Sequence, residues 1–257
     1  MPSIPLWAIF IFTTAVLFGG LEIGHVLGRR RRERDEQAEH DELGSLVGAI
    51  LGLTAFVLAI AFGGQLSRFD ASKSLLLDEA TAIYAVFLRA DMLPPDAGDF
   101  VKRQLLKYAE VRLDTDRDPA ERIRESVDLQ RAIWRVSIEA GEKMSDAFPK
   151  ELYFESLNEL ITLHEKRVTL GLHEHMPKII WWVLYLLAVL GFAVTGYHGA
   201  VSSAKRSAAR PVAVLAFALL ITLIADLDNP GKGPLQLNEA ALRDVSARMQ
   251  ADLADGG

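Results

Sequence analysis

The chain has 257 residues, half of them hydrophobic and about a quarter charged, with 28 Lys and Arg against 34 Asp and Glu for a formal net charge of -6. It has no cysteine, which excludes disulfides, thiolate metal sites, a cysteine nucleophile and cysteine lipidation. The basic side chains form no long stripe of the kind a nucleic-acid backbone requires, so nucleic acid is not an expected partner.

Apolar residues crowd into four stretches, two on each side of a charged middle region of roughly a hundred residues. Each stretch can cross a hydrocarbon core of about 30 Å, which takes ~20 mostly apolar residues at 1.5 Å per residue. The spans are expected at 5–27, 43–66, 177–201 and 209–227, with an extramembrane helical domain at 67–176 and a polar C-terminal tail at 228–257. The predicted fold is all-α: an integral membrane protein of four transmembrane helices with a helical bundle inserted between helices two and three. The lipid bilayer is thus its first expected partner.

The segment before the first span, Met1 to Pro5, carries no Lys or Arg, and the apolar run after it is longer than the core of a cleaved signal. A retained first helix is expected. Gly20, Gly24 and Gly28 fall four apart in it, as do Gly44, Gly48 and Gly52 in the second span. Such spacing lets helix backbones approach in lipid. The first reading is that spans one and two pack on each other; the alternative is a contact between subunits or along a pore. Glu22 lies within the first span with His25 one turn later, and a charge inside a bilayer is costly enough to mark a functional candidate, although Glu22 is near the arginines that follow.

Two short loops are basic: 29–42, with Arg29-Arg30-Arg31-Arg32-Glu33-Arg34, and 202–208, which leads through Lys205 and Arg206 to Arg210. The positive-inside bias acts most strongly on short loops, which places both in the cytoplasm and the middle region outside.

The middle region reads as helices. Residues 67–91 continue the second span without Gly or Pro until Pro94-Pro95. Asp96 to Leu113 gives a helix with Val101, Leu105, Tyr108 and Ala109 on one face. Asp118-Pro119 is a helix start for a segment presenting Ile123, Val127, Trp134 and Ile138 and ending near Phe148-Pro149. A last helix from Pro149 to His175 stacks Tyr153, Leu157, Leu160, Ile161, His164, Val168 and Leu172 before Pro177 breaks it. Trp181, Trp182 and Tyr185 then read as an interfacial belt. Asp226 and Asp228 close the fourth span. Either they mark where the helix meets water, or they supply a carboxylate ring in a symmetric oligomer.

Several residues in order resemble one family. They are Leu53-Thr54-Ala55-Phe56, Arg68 and Asp70, Asp78-Glu79-Ala80-Thr81-Ala82-Ile83, and Leu88-Arg89-Ala90-Asp91-Met92-Leu93-Pro94. Tyr108 and Arg112, Leu157-Asn158-Glu159-Leu160-Ile161 with His164 and Arg167, Gly196-Tyr197, and Asp226-Leu227-Asp228-Asn229-Pro230 with Gly231 and Gly233 complete the set. From Gly44 to about Leu242 the chain resembles the bacterial bestrophin-like domain family, whose own activity is not established. The resemblance implies a multi-pass protein of the bacterial inner membrane, distantly related to the pentameric bestrophin anion channels. Two departures stand: Asn229 occupies a position where the family usually has arginine, and bestrophins keep the termini and middle region in the cytoplasm, the reverse of the orientation the basic loops give.

The expected function is therefore an oligomeric ion channel or transport protein, with small ions and further copies of the chain as partners. The alternative is a non-transporting scaffold or envelope sensor acting through the helical domain. Candidate pore or charge-network residues are Glu22, Glu79, Arg89, Asp91, Asn158, His164, Arg167, Asp226 and Asp228. Glu79, Arg89 and Asp91 are candidates for one network, in which Arg89 and Asp91 cannot face each other on a single helix. No enzyme signature is present: no nucleophile elbow, phosphate loop, HExxH or calcium loop. His173-Glu174-His175 puts its histidines on different helix faces, so neither a metal nor another cofactor is expected.

Overall fold

A computed structural model describes residues 5–33, 41–173, 176–202, 209–228 and 238–255. Most of the two basic loops (34–40 and 203–208), Glu174, His175, and Asn229 with Pro230, Gly231 and Gly233 lie outside the described residues. The helices are α1 (Leu6–Arg32), α2 (Asp41–Arg89), α3 (Pro95–Leu113), α4 (Pro119–Glu142), α5 (Ala147–His173), α6 (Lys178–Val201), α7 (Ala209–Asp228) and α8 (Ala240–Asp255), with a 3-10 turn at Ala90–Met92. No strand occurs among the described residues. The chain divides into two compact units, 1–69 with 175–236 and 70–174 with 237–257.

The first unit holds four helices long and apolar enough to cross a membrane. Their outward surfaces carry Trp7, Phe12, Leu53, Phe56, Ile60, Trp182, Leu186 and Leu219, all exposed. Water would not tolerate so much apolar surface on a stable monomer, whereas lipid does. The inner core joins Leu17 and Leu21 of α1, Leu58 of α2, Leu184, Ala188 and Phe192 of α6, and Val214, Ala218 and Ile221 of α7. Of the expected aromatic belt, Trp182 faces outward while Tyr185 shares a 2.7 Å hydrogen bond with Thr13 across α1 and α6.

The glycines of α1 do not meet α2. They pack on α6: a Cβ on Gly24 would lie 1.8 Å from the Ala193 carbonyl oxygen, and one on Gly196 would lie 2.0 Å from that of Leu21. Only glycine permits this approach. The spacing correctly marked a tight helix pair but not its partner, because α6 carries its own small residues, Gly196 and Ala193, at the facing positions. In α2, by contrast, Gly48 and Gly52 have no atom within 4 Å of where a Cβ would stand.

The second unit is built from the end of α2 with α3, α4, α5 and α8. Its core contains Ile83, Val86, Phe87, Val101, Leu105, Tyr108, Ile133, Tyr153, Leu157 and Leu160. The expected face of α3 is buried, and that of α5 is buried at Tyr153, Leu157, Leu160 and His164, but three expectations need correction. Helix α4 stops at Glu142, where the Lys143 N–H returns to the Ala140 carbonyl, and α5 restarts at Ala147 with Pro149 in its first turn, where a missing N–H costs nothing. The buried face of α4 is also rotated from the apolar stripe. It presents Ser126, Leu129, Gln130, Ile133, Ser137 and Ala140, leaving Trp134 and Ile138 at the surface. Finally, the segment read as a polar tail forms α8, which buries Leu242, Ser246 and Met249 and reaches α3 through Gln250 Nε2 to Glu110 Oε1 at 3.3 Å.

Candidate functional site

The polar residues that the fold brings together most closely surround Glu79, beyond the second span on α2 and fully buried. Tyr108 of α3 donates its hydroxyl to Glu79 Oε1 at 2.5 Å. Arg167 of α5 donates to Oε2, as does Arg112 Nη2 of α3 at 3.5 Å. His164 of α5 places Nδ1 2.9 Å from the Tyr108 oxygen. The Tyr108 proton is committed to a carboxylate that can only accept, so His164 Nδ1 carries the proton that reaches Tyr108.

The residues arrive there by helical spacing. Tyr108 and Arg112 are four apart on the buried face of α3, and His164 and Arg167 are three apart on α5. Burial alone would raise the Glu79 carboxyl. The Nδ1–H of His164, 3.7 Å from Oε1, and the charges of Arg112 and Arg167 outweigh it and hold the group well below the usual carboxylate range. Burial and the Glu79 charge push the Tyr108 hydroxyl the other way, well above its ordinary value. One carboxylate thus fastens three helices and carries two guanidinium partners. The site has no nucleophile and no metal ligand set; among the described residues no group of three or more His, Asp or Glu could hold a metal ion.

Of the candidates read from sequence, Glu79, His164 and Arg167 converge here. Arg89 and Asp91 do not join them: Arg89 Nη1 donates to the Leu152 carbonyl at 3.3 Å, and Asp91 pairs with Lys102 at 2.5 Å near the surface. Asn158 is exposed, its backbone carbonyl taking the Thr162 hydroxyl. Arg112 was visible only as a family position, and Tyr108 as one and as a member of the apolar face of its helix. Their signal was a polar pair at i and i+4 on an otherwise apolar stripe.

The membrane unit carries the remaining candidates. Glu22 is on the outward surface of α1, and Asp226 is buried on α7. Asp228 accepts the Met176 N–H at 2.8 Å and pairs with Arg68 at 3.4 Å. It therefore ties the end of α7 to α2 and to the chain just before α6.

A family model, the Bestrophin-like domain, matches residues 14–242. No curated protein matches the chain. Among solved structures, one point variant of a bacterial bestrophin homologue from Klebsiella pneumoniae superposes with a TM-score of 0.66 at 16% identity, covering 94% of this chain and 98% of that one. A second variant gives 0.65 at 17%, covering 97% and 98%. A structure described only as a membrane protein gives 0.63 at 16%, covering 96% and 97%. At these identities the likeness is one of fold.

Proposed function

We propose, from the premise that this chain belongs to the bestrophin-like domain family, that it is an oligomeric channel for small anions in a bacterial inner membrane. One observation carries the reading: the membrane portion of α2 is mostly uncovered. Among its described residues only Thr54, Leu58, Ala61 and Gln65 are buried there, while Gly48, Gly52, Ala55, Ala59 and Gly63 form an exposed line of small residues at intervals of three and four. Small residues at that interval are what a second membrane helix needs for close approach. A further copy of the chain supplies it, and a ring of copies encloses a lumen. The anion preference follows from the family's relation to bestrophin channels. Glu22, outward on α1, is the candidate for a charged position near a constriction.

For orientation we retain the bias of the basic loops, 29–42 and 202–208, toward the cytoplasm. The test of conduction is ion flux from liposomes bearing the purified protein, with Glu22→Gln alongside. Flux above protein-free vesicles, altered in the variant without loss of assembly, supports the reading. A second reading, a scaffold or envelope sensor, is favoured by the Glu79 network, whose charges are paired inside the bundle. Absence of flux from an assembled oligomer selects it.

A further inference from the structure

Helix α4 carries three polar residues four apart on one side: Arg122, which is half-buried, and Ser126 and Gln130, which are buried. They form one line along the helix. Each holds a buried atom with no protein partner: Arg122 Nε, Ser126 Oγ and Gln130 Nε2. Ser126 is completely buried and Gln130 is 6% exposed. Three unpartnered donors on one stripe are unusual, because buried polar groups are normally satisfied.

The helix register shows what they face. Ser137 of α4 and Tyr153 of α5 share a hydrogen bond of 2.6 Å. Ser126 lies eleven residues before Ser137 on α4 and His164 eleven after Tyr153 on α5, close to three full turns, so each falls on the same face of its own helix as that helix's member of the pair. The second ring nitrogen of His164, Nε2, also has no partner. On the other side, Lys107 of α3 and Glu125 of α4 pair at 3.4 Å, which brings the stretch of α3 that carries Tyr108 and Arg112 alongside the stretch of α4 that carries Arg122 and Ser126. Burial, then the positive charge of Arg112 and Arg167, pull the Arg122 guanidinium below its ordinary value, while Glu239 and Asp114 oppose them. Both of those acids have other partners: Asp114 pairs with Arg117 at 2.9 Å and Glu239 lies 3.9 Å from Arg243. Glu79 is already taken by Arg112, Arg167 and Tyr108.

We propose that the helical bundle binds one small inorganic anion of the halide class against α4, held by the Arg122 Nε–H, the Ser126 hydroxyl and the Gln130 amide. A halide only accepts hydrogen bonds and has no directional demand, which suits a row of donors beside an excess of guanidinium charge. The proposal stands whether or not the protein conducts.

The test uses the full chain in detergent, with bromide as probe. Crystals grown in bromide are expected to show one anomalous peak within hydrogen-bond reach of Arg122 Nε and Ser126 Oγ. Bromide or chloride should raise Tm over gluconate at equal ionic strength. Arg122→Gln and Ser126→Ala should weaken the apparent halide affinity about tenfold or more, whereas the exposed Arg131→Gln should not. A water at that position with no anomalous signal overturns the proposal. So does a halide-specific rise in Tm that both bundle variants retain in full. If neither variant folds, the bromide peak in the unaltered protein decides alone.

Discussion

At the scale of single residues, Glu79 is the most consequential side chain outside the membrane. Glu79→Gln removes the counter-charge of Arg112, which is buried, and of Arg167, which is partly buried, and removing one partner of a buried pair typically costs about 3–5 kcal/mol. Chemical denaturation at neutral pH should register a loss of that order. The same carboxyl gives a pH signature. Its folded value lies far below the ordinary 4.5, so its contribution is complete above about pH 4.5 and declines as pH falls toward the folded value. The stability gap between the wild type and Glu79→Gln should therefore narrow between about pH 4.5 and pH 3; a gap constant across that range contradicts the assignment. The sequence pointed to Glu79, His164 and Arg167 one by one, yet it joined Glu79 to Arg89 and Asp91. Proximity along the chain suggested that grouping, and nothing in local spacing encodes that residues 79, 112 and 167 meet.

At the scale of elements, two glycine stripes of the same spacing have opposite fates. Gly24→Val forces a side chain into the Ala193 carbonyl and should abolish the folded membrane unit, read as aggregation or protease sensitivity in detergent. Gly52→Leu meets open space in the single chain. It should leave the fold intact and shift the protein from oligomer to monomer in size-exclusion with light scattering. Equal effects from the two substitutions would contradict the separate roles given to α1 and α2. Spacing alone could not separate them, since the choice of partner depends on α6. Helix α8 was illegible for a related reason: its buried residues, Leu242 and Met249, are too few to stand out in a polar segment, and only the bundle gives them a surface. Met249→Ala should cost about 2–5 kcal/mol, the usual range for truncating a buried long side chain. The face of α4 was misread because Ser126, Gln130 and Ser137 turn inward where apolar residues were expected.

At the scale of the whole molecule, composition made the four spans and the helical domain readable, because lipid admits only long apolar helices and closed barrels. Assembly and orientation leave weaker marks. Orientation rests on the basic loops, and the absence of cysteine makes it simple to check: Ala38→Cys should resist an impermeant thiol reagent in intact cells while Ala120→Cys reacts. The opposite pattern would place the helical domain in the cytoplasm. Conduction is the central claim, and chloride flux through the purified protein in liposomes tests it most directly. The account predicts efflux above protein-free vesicles that is lost when Gly52→Leu breaks the ring. Absence of flux from an intact oligomer, across voltage and pH, would contradict it.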